Sequence, residues 1–227
     1  MKADILLLIL LFSLSVFADK VAPNATIQSQ QKTCIEDQER QKQRSDELQK
    51  IVAEDQADRT TRPIDWNKVG PRDMIRIKRV GEIFAEGCIV QAKDYAAAAL
   101  VFQHGDHPDH YLQVYLWQKR AVELGDKEDH PDLMYSGIDR YLVSIGRRQL
   151  FATQYGKMKK ENCRCLQAIE ESFPEKRRTE LTGRALNKAF AFVKEGNLDR
   201  PACAEIRFCD TPLLPTTKAD LPFTGLW

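Results

Sequence analysis

The stretch DYAAAALVF at residues 94–102 is apolar on nearly every side after its first residue. As a helix, it would have no wide polar face to turn towards solvent. Its four consecutive alanines also let neighbouring helices approach closely. We therefore expect this helix, capped by Asp94, to be the most buried element of the fold.

Two further helix starts follow from one tetrapeptide. The sequence DHPD occurs at residues 106–109 and again at residues 129–132. Proline in a first helical turn supplies a preset backbone angle, and aspartate complements the positive end of the helix dipole. Gly125 and Gly146 lie where the two helices would end. The pattern predicts two helices in a compact helical array.

A core helix is expected ahead of the alanine-rich stretch. Apolar residues recur at helical spacing between residues 72 and 85, and Pro71 is a natural first residue. The arginines of the opposite face are Arg72, Arg76 and Arg79. We expect this face to be exposed to solvent.

The C-terminal third is expected to hold three more helices, over residues 147–155, 163–173 and 175–195, the last closed by Gly196. Several prolines then make residues 197–227 an extended tail. No segment alternates apolar and polar residues for long enough to predict a sheet. The predicted fold class is all-α, a compact array of antiparallel helices.

The N-terminus has the composition of a cleaved signal peptide. Lys2 precedes an apolar run that ends at the small residue Ala18, so residues 1–18 are assigned to the signal. The run is short for a membrane span, although an uncleaved anchor is the alternative. Residues 19–62 are then a polar, solvated helical arm, residues 63–196 the helical core, and residues 197–227 the tail. We predict a periplasmic or secreted protein with no stable membrane anchor.

All six cysteines lie after the predicted cleavage point, which favours disulfides in an oxidising compartment. They are Cys34, Cys88, Cys163, Cys165, Cys203 and Cys209. Two of them are separated by one residue and cannot bridge each other without strain, so each is expected to pair with one of the last two. That leaves Cys34 and Cys88 as a pair. Both possible pairings of the other four cysteines stay open. A zinc site of four thiolates is the rival interpretation.

The charge balance excludes some classes of partner. The formal net charge is +1, with 30% charged residues, so no strong field would attract nucleic acid. No phosphate loop, dinucleotide fingerprint, metalloprotease signature or nucleophile elbow occurs in the chain. We predict no cofactor and no nucleic-acid partner.

The segment QHGDHPDH at residues 103–110 holds three of the four histidines. A metal site of His104, His107 and His110 is one interpretation, although a proline at a helix start would turn these side chains apart. Gln103 and His104 directly follow the buried helix, where polar side chains need hydrogen-bond partners. His104 is therefore a candidate general base, or simply a paired residue at a helix end.

Further polar residues lie among apolar neighbours downstream. Asp139 and Arg140 fall in the middle of a predicted helix, which indicates a paired network near the core. Gln149, Thr153 and Gln154 follow at the spacing of one helical face. Such a set either braces the core or lines a pocket.

These residues occur in the order and rough spacing of an uncharacterised bacterial family whose members share a domain of unknown function. The chain resembles that family from about Leu48 to Tyr155. The resemblance rests on Asp55-Gln56-Ala57-Asp58-Arg59, Asn67, Gln103-His104 with Asp106, Gln113, Asp139-Arg140, Gln149 and Thr153-Gln154. In the family pattern an aromatic residue and a glycine precede the Thr-Gln pair, where this chain has Phe151-Ala152. The resemblance implies a domain with a polar cluster, and no reaction.

Three functions are compatible with this sequence. The first is an exported domain that binds an unknown small molecule or protein in a polar pocket around His104 and Asp139-Arg140, with binding residues Gln103, Gln113, Gln149, Thr153 and Gln154. The second is a hydrolase of an envelope or host-derived substrate. In it His104 is the general base, Asp139 orients it, and Arg140 stabilises negative charge. The third is a structural protein whose residues 28–59 bind a partner helix or a second copy.

Overall fold

A computed structural model describes residues 33–126, 131–158, 162–222 and 224–227. The predicted signal peptide and the first part of the predicted arm lie outside these residues. The helices are α1 (Gln38–Ala57), α2 (Trp66–Ala85), α3 (Ala92–Phe102), α4 (Pro108–Glu123), α5 (Pro131–Ser144), α6 (Glu175–Thr182) and α7 (Leu186–Glu195). Two short strands, β1 (Tyr155–Lys157) and β2 (Arg164–Leu166), pair antiparallel, with Gly156 opposite Cys165. The protein is mostly helical, and the small hairpin corrects the expectation of an all-α fold.

Helix α3 lies in the core, as its composition predicts. Ala98 and Ala99 are fully buried, and α1, α2 and α4 all pack against α3. The helix begins at Ala92, two residues before the predicted cap. Asp94 is instead its third residue, and its carboxylate accepts a hydrogen bond from the backbone N–H of Gln91 at 3.0 Å. Helix α3 therefore starts with its first turn closed by its own side chain.

Helices α4 and α5 begin at Pro108 and Pro131, as the repeated tetrapeptide predicts. Gly125 and Gly146 follow them with φ angles of 89° and 77°, a region that glycine enters without steric cost. Helix α4 contributes residues to two clusters of the core, one with α3 and one with α5. It therefore joins the N-terminal and C-terminal parts of the core.

Helix α1 lies within the described part of the predicted polar arm, and one of its faces is buried rather than solvated. Leu48 is fully buried and Ile51 nearly so, both against the first core cluster. The hydroxyl of Ser45 donates to Asp94 at 2.6 Å, which ties α1 to the start of α3. Because this face of α1 is used within the chain, it is not available to a partner helix.

Helix α2 begins at Trp66, five residues before the predicted start. Pro71 lies inside it and, having no N–H, cannot donate the helical hydrogen bond to the carbonyl of Asn67. The predicted solvent-exposed arginine face is wrong for Arg76, which is 7% exposed. Its guanidinium pairs with Asp73 and Asp58 at 3.2 and 2.5 Å, which offsets the cost of burying its charge.

The predicted helices over residues 147–155 and 163–173 are not formed. The first segment is a loop that leads into β1, and the second contains β2. On a strand, residues two apart point to the same face, so Cys163 and Cys165 can both reach the tail. A helix would have turned them to different sides.

The last predicted helix, over residues 175–195, is divided into α6 and α7. Gly183 ends α6 with a φ of 65°, in the left-handed conformation that terminates many helices. The chain then re-enters a helix at Leu186. The short connection places Arg184 at the surface.

All six cysteines are disulfide-bonded, as Cys34–Cys88, Cys163–Cys203 and Cys165–Cys209. The first pair is the predicted one, and the structure chooses between the two arrangements of the others. No cysteine is left as a thiolate for the rival zinc site. Three disulfides indicate an oxidising compartment. In the described part of the chain, no helix is both long and apolar enough to cross a membrane.

Candidate functional site

Asp139 anchors the loop that follows α5. Its carboxylate is fully buried and accepts hydrogen bonds from the backbone N–H groups of Leu150, Phe151 and Thr153 at 2.8, 2.9 and 3.0 Å. The Thr153 hydroxyl donates to it as well, at 2.8 Å. Burial raises the pKa of Asp139 to about 6, against the opposing effect of these donors. Asp139 holds the loop in shape and does not contact His104.

Ala152 lies inside this anchored loop with a φ of 60°, in the left-handed region that favours glycine. The three hydrogen-bonded N–H groups around it force this backbone conformation. The turn is therefore formed with the Ala152 side chain in a strained backbone conformation.

Arg140, Gln149 and Gln154 form a second layer of the same network. The Arg140 guanidinium donates to the Gln154 side-chain oxygen at 3.2 Å and, by a shorter bond, to the carbonyl of Gln103. The Gln149 amide donates to the carbonyls of Gln154 and Gln167 and accepts from the N–H of Gln154 at 2.8 Å. Burial lowers the pKa of Arg140. The two glutamine side chains are thus paired largely within the network, while Arg140 uses two of its five N–H donors there.

We call this network the brace; its members are Asp139, Arg140, Gln149, Thr153 and Gln154. The predicted polar set therefore does come together, but mostly as a closed structure. Gln113 is outside it, half-buried on α4, and its side chain makes no hydrogen bond to any residue that the structure describes. Within the brace, Arg140, Thr153 and Gln154 are partly exposed, whereas Asp139 and Gln149 are buried.

His104 belongs to a different cluster. Its Nδ1 atom lies 3.0 Å from a carboxylate oxygen of Asp55, which is fully buried at the end of α1. The predicted orienting partner, Asp139, is thus replaced by Asp55. When Nδ1 carries the proton and donates it to Asp55, Nε2 has the lone pair. A histidine oriented in this way has the form of a general base.

Two arginines complete the cluster around Asp55. Arg59 pairs with Asp55 at 3.1 Å and with Asp73 at 2.7 Å, so one guanidinium bridges two carboxylates. Arg76 continues the chain of ion pairs from Asp73 to Asp58. The hydrogen bond from Arg76 lowers the pKa of Asp58. Because each carboxylate is matched by an arginine, this cluster joins α1, α2 and the end of α3.

A metal ion has one geometrically possible site in the described residues. One ligand atom from each of Asp55, Asp73 and His104 lies within 4.8 Å of the others. Arg59 already bridges the two carboxylates, and a dication there would meet its positive charge. The residues therefore fit an ion-pair network better than a metal centre.

The alternative histidine metal site is not assembled. The ring of His107 caps α4 by accepting from the N–H of Asp109 at 3.3 Å. His110 packs edge-on against Phe102, with ring centroids 5.5 Å apart. Since His104 turns to Asp55, the three imidazoles serve three different neighbours.

An open cleft of about 310 Å³ lies beside the brace, and we call it the first cleft. Its lining residues come from α3, α5, the anchored loop and the α6–α7 connection: Leu100, Gln103, Asp132, Leu133, Ser136, Thr153 and Arg184. Gln103 and Thr153 are predicted binding residues, whereas the others are not. No sequence pattern indicates that Arg184 meets Asp132, because 52 residues separate them.

Comparisons of the chain with protein-family models, with curated proteins and with solved structures find no match.

Proposed function

We propose that the protein is an exported binding domain, periplasmic or secreted, that holds a small hydrogen-bonding molecule in the first cleft. The observation that carries this proposal is the link between cleft and brace. Arg140 holds the carbonyl of Gln103 while Asp139 holds Thr153, and both of these residues line the cleft. A wall fixed in this way binds a ligand without first having to become ordered.

The lining suits a ligand with both apolar and polar atoms. Leu100 and Leu133 supply apolar surface, while Gln103, Ser136 and Thr153 supply amide and hydroxyl groups. The volume of about 310 Å³ lies at the lower end of small-molecule sites. Asp139 and Gln149 support the wall from behind and do not contact the ligand in this proposal.

Filling the cleft tests the proposal. Ser136→Phe places a ring in the cleft, and Ser144→Phe on the same helix is its matched control. Both serine hydroxyls donate to the carbonyl three residues earlier, at 3.0 Å for Ser136 and 2.7 Å for Ser144, but Ser144 is exposed and outside the cleft. The measurement is the shift in Tm caused by amino acids, dipeptides, sugars and nucleosides.

We expect at least one compound class to raise the Tm of the wild type and of Ser144→Phe, but not of Ser136→Phe. A shift that persists in Ser136→Phe would place the ligand elsewhere. If no compound shifts the wild type, the small-molecule proposal fails and the protein-partner form of the binding hypothesis takes its place.

Export is supported by the signal-like composition of residues 1–18 together with the three disulfides. Thiol counting checks it. The protein recovered from the periplasm or medium of its host should show no free thiol before reduction and six after reduction under denaturing conditions. Free thiols throughout would contradict export into an oxidising compartment.

A second candidate function is favoured by the contact between His104 and Asp55. In a hydrolase, Nε2 of His104 would remove a proton from water, and Asp55 would keep the ring in the required orientation. His104→Ala should then lower the rate on any hydrolysed p-nitrophenyl ester by about 100-fold or more. His107→Asn, which keeps a good helix cap, is the control. Equal rates in both variants would exclude His104 as the base.

A further inference from the structure

A second cleft of about 390 Å³ opens between α7 and the hairpin, and we call it the second cleft. Phe151, Tyr155 and Phe192 form its aromatic walls, and the rings of the last two are 4.8 Å apart between centroids. Ala185, the cap residue before α7, and Ala189 on α7 both line the second cleft, and their small side chains leave the space open. The second cleft is therefore suited to a flat apolar group.

Positive charge dominates its edge. Arg184 and Lys188 both line the second cleft, against the single acidic residue Glu195. Lys188 is exposed and forms no ion pair with any residue that the structure describes. A cationic edge beside an aromatic cavity complements a ligand with an apolar body and one acidic group.

We propose that the second cleft binds an organic anion with an aromatic body, whose acidic group pairs with Arg184 and Lys188. The site is distinct from the one in the proposed function, and neither requires the other. The ring of the ligand would lie against the aromatic wall that Tyr155 and Phe192 form together, where the apolar surface that it covers is removed from water.

Arg184 connects the two clefts, since it lines both of them. Its guanidinium pairs with Asp132, and the side chains of the two residues are 54% and 47% exposed. An exposed ion pair of this kind is weak, so the acidic group of a ligand can compete with Asp132 for Arg184. Removing Asp132 and removing Arg184 should therefore change anion binding in opposite directions.

The test compares two fluorescent probes that share one aromatic framework. The anion is 1-anilinonaphthalene-8-sulfonate, and the neutral control is N-phenyl-1-naphthylamine. The variants are Arg184→Gln and Asp132→Asn, with Lys176→Gln as the control for loss of an exposed cation, because Lys176 is 90% exposed on α6. Near-ultraviolet circular dichroism confirms that each variant is folded, since the sulfonate probe also binds partly unfolded chains.

We expect Arg184→Gln to weaken binding of the sulfonate about three- to fivefold and Asp132→Asn to strengthen it by a similar factor, as for one exposed charge pair. Lys176→Gln should leave the Kd of the sulfonate unchanged, and none of the three charge variants should change the Kd of the neutral probe. Phe192→Ala should weaken both probes, because it removes one aromatic wall.

Three results would overturn the proposal. The first is no measurable binding of the sulfonate to the folded wild type, and the second is an unchanged Kd of the sulfonate in both Arg184→Gln and Asp132→Asn. The third is that these two variants change the Kd of the neutral probe by the same factors. Ser136→Phe separates this proposal from the proposed function. It should abolish binding in the first cleft and leave the Kd of the sulfonate as in the wild type.

Discussion

His104 and Asp55 are 49 residues apart in the chain, and the Nδ1 atom of one lies 3.0 Å from a carboxylate oxygen of the other. Asp55 also pairs with Arg59, so the aspartate at the end of α1 serves a histidine and an arginine at once. This contact fixes the end of α3 against α1. It also makes Asp55, rather than Asp139, the residue that orients His104.

Asp55→Asn should destabilise the protein by roughly 3 kcal/mol, the cost of breaking a buried ion pair. Arg59 keeps Asp73 but loses one of its two carboxylates. The neighbouring Glu54→Gln is the control, because the Glu54 side chain is 55% exposed and its loss should cost less than about 0.5 kcal/mol. Urea unfolding of both variants measures the difference, and equal stability would contradict the role of Asp55.

Ala152→Gly should stabilise the protein by about 1 kcal/mol, because it relieves a residue held at a φ of 60°. Ala191→Gly, on the exposed face of α7, is the matched control and should destabilise it by about 1 kcal/mol. Thermal unfolding of the two variants gives the sign directly. If both glycines destabilise equally, Ala152 is not strained.

Asp139→Asn should change how stability depends on pH. Folding raises the pKa of Asp139 from 3.8 to about 6, so the folded protein holds this proton more tightly than the unfolded chain. The stability that Asp139 contributes is therefore fully present below pH 3.8 and is lost as the pH rises through 6. Between these limits the loss amounts to roughly 3 kcal/mol.

The measured quantity is the free energy of unfolding of the wild type minus that of Asp139→Asn, from pH 3.5 to 7. Carboxylates whose pKa is lowered by folding, such as Glu47 and Asp220, weaken both proteins in acid and cancel in the difference. The difference should fall as the pH rises. A difference that is constant, or that rises, would contradict the raised pKa.

Gly137→Ala should destabilise the contact between α4 and α5. A Cβ atom at this position would lie 3.0 Å from the carbonyl oxygen of Tyr111 and 3.1 Å from the backbone nitrogen of Tyr115, which cannot move without shifting α4. Gly81→Ala in α2 is the control, since nothing lies within 4 Å of the added atom. That variant should gain about 1 kcal/mol from helix propensity. If both variants are more stable than the wild type, α4 moves aside for the added Cβ atom at little cost.

Local signals account for what could be predicted. Pro108 and Pro131 start their helices, and Gly125 and Gly146 end them, because these residues act on the backbone within one turn. The prediction of helices between residues 147 and 173 was wrong, because the shape of this segment depends on contacts that are remote in sequence. These contacts are the hydrogen bonds to Asp139 and the disulfides to the tail. Helix propensity is a weak preference that such contacts override.

The sequence by itself determined the helical elements from α3 to α5, the pairing of Cys34 with Cys88, and most members of the brace, because apolar spacing, caps and cysteine count act locally or by elimination. Only the tertiary structure decided that the brace is closed, that His104 turns to Asp55, and that Arg184 lies between two clefts. The physical reason is that a hydrogen bond or ion pair depends on distances of about 3 Å between atoms, which are set by the packing of remote elements and leave no periodic trace in the chain.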